Sequence, residues 1–431
     1  MNGLAERNGG QGGLAVLVIL LALGLGLRTA EAWDGRAPVY DAAAYAAIAA
    51  NLDRGDGFTL GERATQPASN YSPGLPLFAA AIYEATGGVH ERTARLALAL
   101  LGTLAVLFAY LIGRRLSGPA AGLIGAGAVA VYPALLEYQG MLMGEPLAAT
   151  LLVGAVLAAL WAADAEGWPS WLLPGATFGA LALVRPEYLG VAVLVALVTA
   201  ARLGLDAWRR ALPGAVALLI GMTVLIAPWT IRNAVALDRF VPVSTGGGQV
   251  LFAGTYLPSD GDPEKVSAEV VQRHPELFGS HAVERQRLEQ ILARLAAQRY
   301  PGMETDRALA KMGKEQLWDD LGEEPLEYAG FIATKVVRIW SHGPRAVMRE
   351  PGWELLHWAL VAFGLLGLVV LALQRRWEAL LLATIFVAIT AVSALLVASP
   401  RRVLVMVPLL AALAGVGTVS ATAWLQTRIR H

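Results

Sequence analysis

The 431-residue chain contains no cysteine, which excludes disulfides, thiolate zinc sites, iron–sulfur clusters and a cysteine nucleophile. Charge is also scarce. Only 16% of residues are Asp, Glu, Lys or Arg, against the roughly 25% of an ordinary soluble domain. Neither sign dominates: 34 basic residues balance 34 acidic ones. No nucleic-acid partner is therefore expected through bulk basicity, and an acidic solvating chain is excluded. The six histidines are scattered, with none of the i, i+4 spacing of a helical metal site. A nucleotide fingerprint is missing as well. Gly246-Gly247-Gly248 has neither the G-x-G-x-x-G pattern nor a P-loop lysine, and reads as a flexible turn.

What is present is apolar sequence, 56% of the chain, with a mean hydropathy of +0.53. It comes in blocks at about 10–30, 93–113, 118–137, 146–163, 170–184, 188–203, 211–230, 354–373, 377–398 and 403–425. Each approaches the roughly 20 residues a bilayer-spanning helix needs. Lipid leaves backbone groups no other partner, so the spans are helical. The expectation is an all-α polytopic membrane protein with ~10 transmembrane helices. Blocks 170–184 and 188–203, split by Arg185-Pro186-Glu187, are either two tilted spans or one broken one. Ala30-Glu31-Ala32 has the small-residue look of a signal-peptidase site, but Glu6 beside Arg7 makes a poor signal-peptide start, so the first helix is expected to be retained.

Arginines set the orientation. Arg114, Arg115, Arg202, Arg209, Arg210, Arg375, Arg376, Arg428 and Arg430 share one side if both termini are cytoplasmic. Asp164 and Glu166 interrupt the trend, but acids count little in this rule. The segments left outside are Trp33–Arg92 and Asn233–Trp353. The chain then divides into 1–232, an N-terminal membrane module with the first outer loop 33–92; 233–352, a mainly helical extracytoplasmic domain; and 353–431, the C-terminal spans. Charged stretches at 263–300 and 304–320 read as solvated, salt-laced helices. Lys335 and Arg338 read the same way, with phosphate contact as the alternative. Arg185, Arg401 and Arg402 break the positive-inside rule, which points to a fixed anion site just outside the membrane.

The first outer loop carries two short amphipathic helices expected to lie along the membrane. In one, Tyr45, Ile48 and Leu52 form a stripe and Asp41 sits in the first turn. In the other, Ser72-Pro73 reads as N-cap and first helical residue, and Leu75 to Ala85 as its body. On spacing alone Asp41 is either a helix cap or a functional acid. Glu145 is either a dipole-stabilised helix-start acid or a ligand for an acceptor, a metal or a loop arginine.

The order of motifs resembles a known family. Arg28 is followed by Asp41-x-x-x-Tyr45, Gly55-x-Gly57-Phe58 and Ser72-Pro73-Gly74-Leu75-Pro76. Then come Met143-Gly144-Glu145-Pro146, Pro228-Trp229-x-Ile231-Arg232-Asn233 with Ser244 to Gly254, and Ser399-Pro400-Arg401-Arg402. This resembles the membrane glycosyltransferases of the GT-C fold, of the glycosyltransferase 39 and aminoarabinose-transferase-like type. The resemblance implies an inverting transfer from a polyprenyl-phosphate sugar to a hydroxyl of a glycan, lipid or protein. It implies Asp41 as general base, and Tyr45, Glu145, Arg185, Arg232, Arg401 and Arg402 as substrate-binding residues. It also implies a multi-pass protein of the cytoplasmic (inner) membrane with its site on the extracytoplasmic side. Two departures stand out. Many relatives have His-x-Arg-Tyr at the last motif, so which of Arg401 and Arg402 meets phosphate stays open. Ala42 occupies the position where relatives often carry a second acid. No cofactor is assigned, and a divalent metal held by carboxylates stays open. The competing reading is a secondary transporter or lipid flippase, which calls for internal repeats and mid-membrane charge; neither is found in this sequence.

Overall fold

The computed structural model describes residues 2–61, 67–165, 167–262, 264–278, 288–341, 343 and 345–429. Glu166, Arg430 and the 279–287 part of the charged outer stretch lie outside the described residues. Nineteen α-helices and five short 3-10 turns are described, with no strand among the described residues beyond a lone bridge between Thr59 and Pro67. They are α1 (Asn2–Asp34), α2 (Asp41–Asp53), α3 (Gly74–Thr86), α4 (Glu91–Ser117), α5 (Pro119–Val131) and α6 (Pro133–Glu137). There follow α7 (Gly144–Asp164), α8 (Leu172–Val184), α9 (Tyr188–Ala201), α10 (Trp208–Leu237), α11 (Gly247–Thr255), α12 (Val266–Arg273) and α13 (Pro275–Phe278). The last are α14 (Leu288–Arg299), α15 (Thr305–Glu323), α16 (Pro325–Ser341), α17 (Pro351–Leu373), α18 (Trp377–Leu395) and α19 (Arg401–Ile429).

All ten apolar blocks are helical, but not every one is a single helix long enough to cross a bilayer. Among the described residues seven helices are long and apolar enough to cross, or eight if the bent pair after Gly118 is one span. The α8 and α9 segments are only 13 and 14 residues long. Proline explains both shortfalls. The residue before a proline is pushed out of the helical region. Tyr132 is extended before Pro133, and the chain bends by 50° there. Arg185 is extended before Pro186, and α8 stops at Val184.

The α5 break leaves helix carbonyls without partners, since Pro133 has no N–H for the oxygen of Val129. Arg28, buried in α1, fills the gap. Its Nη2 donates to Val129 O at 2.8 Å and its Nη1 to Ala130 O at 3.2 Å.

The α19 helix is the axis of the membrane part and packs on α17, α5, α4 and α7. Small residues let the backbones meet, as membrane helices favour. A Cβ at Gly417 would sit 2.0 Å from Phe363 O, and one at Gly415 2.1 Å from Ala121 O.

The first-loop helices differ from a simple surface pair. The α2 helix buries Ala42, Ala46 and Ala49 in the main core, and Ile48 in a second cluster with Phe58 and Ala68. Ser72 does not cap α3; Pro73 occupies the N-cap position with no side-chain bond. Beyond α10, helices α11 to α15 form their own core of Phe252, Tyr256, Val270, Ile291, Leu292, Leu295, Leu309 and Met312. The outer helices therefore do more than display charge to water.

Candidate active site

Three chain breaks converge at one end of the membrane helices: the start of α2, the Arg185-Pro186-Glu187 gap between α8 and α9, and the start of α19. The start of α7 joins them. Together they line a cavity of about 380 Å³.

Glu145 is fully buried in the first turn of α7, where the helix dipole favours its charge. Pro146 fits beside it because first-turn N–H groups have no helical partner to lose. Its Oε1 accepts from Arg401 Nε at 2.6 Å and from Arg185 Nη2 at 2.8 Å. Arg401 also donates from Nη1 to Asp41 Oδ2 at 3.3 Å. Asp41 is therefore no helix cap; Tyr40 holds that position, and the Asp41 carboxylate faces Arg401.

Glu187, which sequence reasoning passed over, completes the chain of charges. Its Oε1 lies 3.5 Å from Arg185 Nη1 and 3.5 Å from Arg402 Nε. Arg402 Nη1 donates to Val397 O at 2.7 Å. Three guanidinium groups thus alternate with three carboxylates, from Asp41 to Arg402. The only signal for Glu187 was an acid beside a proline between two short apolar blocks.

Tyr45, one turn on from Asp41, lines the same cavity, with its ring edge-on to Tyr71 at 5.7 Å. Burial pushes its hydroxyl up to about 12, so it remains a proton donor at neutral pH.

Arg232 is not part of this group. Its Nη1 donates to Asn233 Oδ1 at 3.0 Å, its Nη2 to Phe58 O at 3.4 Å, and its guanidinium lies 4.9 Å from the Trp229 ring. The neighbours of Arg232 do the structural work of that motif. Trp229 Nε1 donates to Val243 O, and Asn233 Nδ2 donates to Val241 O and Val243 O.

A second, larger chamber of about 630 Å³ shares Asp41, Tyr45, Ser72, Glu187 and Arg402 with the first. Its remaining wall includes Asn70, Ser244, Thr245, Gly246 and Gln249. The glycine run is thus a turn beside the site. Gly246 has a φ of +92° at the start of α11, a conformation that suits glycine. Thr245 N donates to Ser69 O at 2.7 Å, tying the outer segment to the first loop. Among the described residues no group of three or more His, Asp or Glu is arranged to hold a metal ion.

Lys335 and Arg338 are not a solvated face. Lys335 is buried, and Arg338 lies 4.0 Å from Asp262.

Residues 70–231 match the family model described as dolichyl-phosphate-mannose-protein mannosyltransferase. No curated protein matches the sequence. Among solved structures, the oligosaccharyltransferase of Archaeoglobus fulgidus in complex with Zn and sulfate superposes with a TM-score of 0.59 at 16% identity, over 96% of this chain and 50% of that one. The same organism's AglB, with an inhibitory peptide and a dolichol-phosphate, gives 0.57 at 17% identity, over 97% and 51%. ArnT from Cupriavidus metallidurans, bound to undecaprenyl phosphate, reaches only 0.42 at 16% identity, over 94% and 78%. The chain spans about half the length of the archaeal enzymes it superposes on. The fold is that of the GT-C glycosyltransferases, an all-helical, multi-pass membrane architecture.

Proposed function

We propose that this protein is a membrane glycosyltransferase that moves a sugar from a polyprenyl-phosphate donor to a hydroxyl acceptor. The reaction is set at the outer face of the cytoplasmic membrane. One observation carries the reading: Asp41 and Arg401 are 3.3 Å apart, at the junction of two chambers, with Arg185 and Arg402 beside them. The dolichol-phosphate bound by AglB, on the same fold, supports a lipid-phosphate donor.

In this reading the smaller chamber, with Arg185 and Arg401, receives the donor phosphate and the larger one the acceptor. The acceptor oxygen attacks the anomeric carbon, and its proton passes to Asp41. The bond from that carbon to the phosphate oxygen breaks, and the phosphate leaves with the electron pair. One displacement inverts the anomeric centre. Charge grows on the phosphate as the bond breaks, so preset guanidinium groups stabilise the transition state more than the bound donor. Each guanidinium offers five N–H groups, and the carboxylates around these three use only some of them. Arg402 also donates one to Val397 O, and N–H groups beyond these are what would meet phosphate oxygens. Arg232 has no part in this grip.

Binding of undecaprenyl phosphate to the purified protein in nanodiscs tests the proposal. Saturable binding that weakens in Arg401→Lys is the expected result. Absence of binding by the wild type would remove the donor class on which the reading stands.

A further inference from the structure

Between Leu395, the last residue of α18, and Arg401, the first of α19, five residues form a connector. Leu396 N still donates to Val392 O, and the carbonyls of Ser399 and Pro400 accept from Arg402 N and Val403 N at the start of α19, which leaves those of Leu396 and Val397 between the two helices. Two side chains hold them. Arg402 donates to Val397 O, as described. Lys335, from α16, donates from Nζ to Leu396 O at 2.6 Å and to Gly254 O of α11 at 2.6 Å.

This lysine is costly to place. It is 1% exposed, and among the described residues no carboxylate lies in salt-bridge range of it. A buried ammonium without a counter-ion is unfavourable unless its hydrogen bonds replace those to water. The chain has made room for it. A Cβ at Gly261 would sit 2.5 Å from Lys335 Cγ, and one at Gly254 would sit 2.3 Å from the Leu396 carbonyl carbon. Two glycines thus let the stem pass and bring the end of α11 onto the connector. A methionine would fill the space equally well. The amine adds the two bonds to carbonyls.

We propose that Lys335 is a positioning residue that holds the α18–α19 connector, and with it Arg401 and Arg402, in the geometry that grips the donor phosphate. This rests on the functional reading above. The charged groups around Lys335 are Arg402 from α19 and, one turn along α16, Arg338 with Asp262. Burial pushes its ammonium down to about 7, and Arg402 adds to the shift. The strong, charged form of the two bonds is therefore present below about pH 7 and fades above it.

Global stability moves the other way. The unfolded lysine keeps its proton up to about 10.4. Between that value and the folded pKa near 7 the unfolded chain binds more protons, so stability rises with pH across that window. A purely structural lysine would act only in this second sense. A positioning lysine would loosen phosphate binding as pH rises.

The test uses the full chain in nanodiscs, with undecraprenyl-free lipid and undecaprenyl phosphate as the probe, at pH 6 to 8.5. Wild type, Lys335→Met and Lys335→Arg are compared, so the ionisation of the phosphate itself is common to all. At pH 6, Lys335→Met should bind about tenfold more weakly, the equivalent of one charge-assisted bond. Its affinity should fall less than that of wild type as pH rises. Lys335→Arg stays charged throughout and should restore binding without the extra fall that wild type shows as pH rises through about 7. Lys335→Met with wild-type affinity and pH profile would overturn the inference alone. If Lys335→Met does not fold, a Lys335→Arg profile that falls like that of wild type overturns it equally. No binding by the wild type would overturn the functional reading itself.

Discussion

At the scale of single residues, the site is a neutral string of three arginines and three carboxylates, and its members differ in what their loss should do. Asp41→Asn keeps the shape and removes the proposed proton acceptor. Turnover should fall by about 10²–10⁴ while undecaprenyl phosphate binding survives, as read by single-turnover kinetics beside a binding assay. Arg401 touches both Asp41 and Glu145, so Arg401→Lys should lower turnover more than it weakens donor binding. An ammonium keeps the charge but cannot match two phosphate oxygens with a planar fork. Equal losses in kcat and in affinity would assign Arg401 to ground-state binding alone. Much of this group was legible in the sequence. Asp41 stood in an ordered series of motifs, and Arg185, Arg401 and Arg402 stood out by violating the charge rule for outer loops. Glu187 was not legible, because an acid next to a proline is ordinary loop sequence. Arg232 lies apart from the group: position at a helix end says nothing about direction, and this guanidinium lies against Trp229 and Phe58. Lys335 misled because a lysine in a charged helix reads as solvated, and only the glycines of distant segments reveal its slot.

At the scale of elements, prolines mark several helix breaks, and the break at Pro186 and the start of α19 help to make the site, although Pro213, Pro228 and Pro408 lie inside helices. Pro186 and Pro400 each follow an apolar block, and Pro133 falls inside one. The sequence announced these breaks but not their repair. Arg28 looked like the end of the first helix and proved to be a side-chain cap for a different one, α5. Arg28→Leu would leave the carbonyls of Val129 and Ala130 unpaired in an apolar surround. Each unsatisfied group costs about 1–3 kcal/mol, so the detergent-solubilised protein should unfold at a clearly lower temperature. The bent α5–α6 pair carries Glu137, which accepts from Arg36 and Arg345. A loss of stability with no change in the apparent affinity for undecaprenyl phosphate would confine Arg28 to this repair. A selective loss of affinity would give it a part in the site.

At the scale of the whole molecule, the apolar residues that the core does not absorb face outward along the spans. Val216, Ile220 and Val224 of α10 and Leu365, Leu366 and Val369 of α17 are exposed, as a lipid-facing surface requires. The α10 helix has 30 residues, about 45 Å, so it reaches well past a bilayer core of roughly 30 Å. Its far end adjoins the outer segment, whose separate core and ties to the first loop put α11 to α15 on the same side as the charged cavity. The charge rule expects the opposite loops, with Arg114, Arg115, Arg202, Arg209, Arg210, Arg375 and Arg376, to be cytoplasmic, which would turn this end outward. The absence of cysteine makes the arrangement easy to test with single introduced thiols. Trp318 is exposed on α15, and Leu203 is exposed in the turn between α9 and α10. A membrane-impermeant maleimide applied to intact spheroplasts should label Trp318→Cys at once and Leu203→Cys only after permeabilisation. The reverse pattern would turn the cavity toward the cytoplasm. It would then face soluble nucleotide sugars, and the case for a lipid-carried donor at the outer headgroups would fall with the topology.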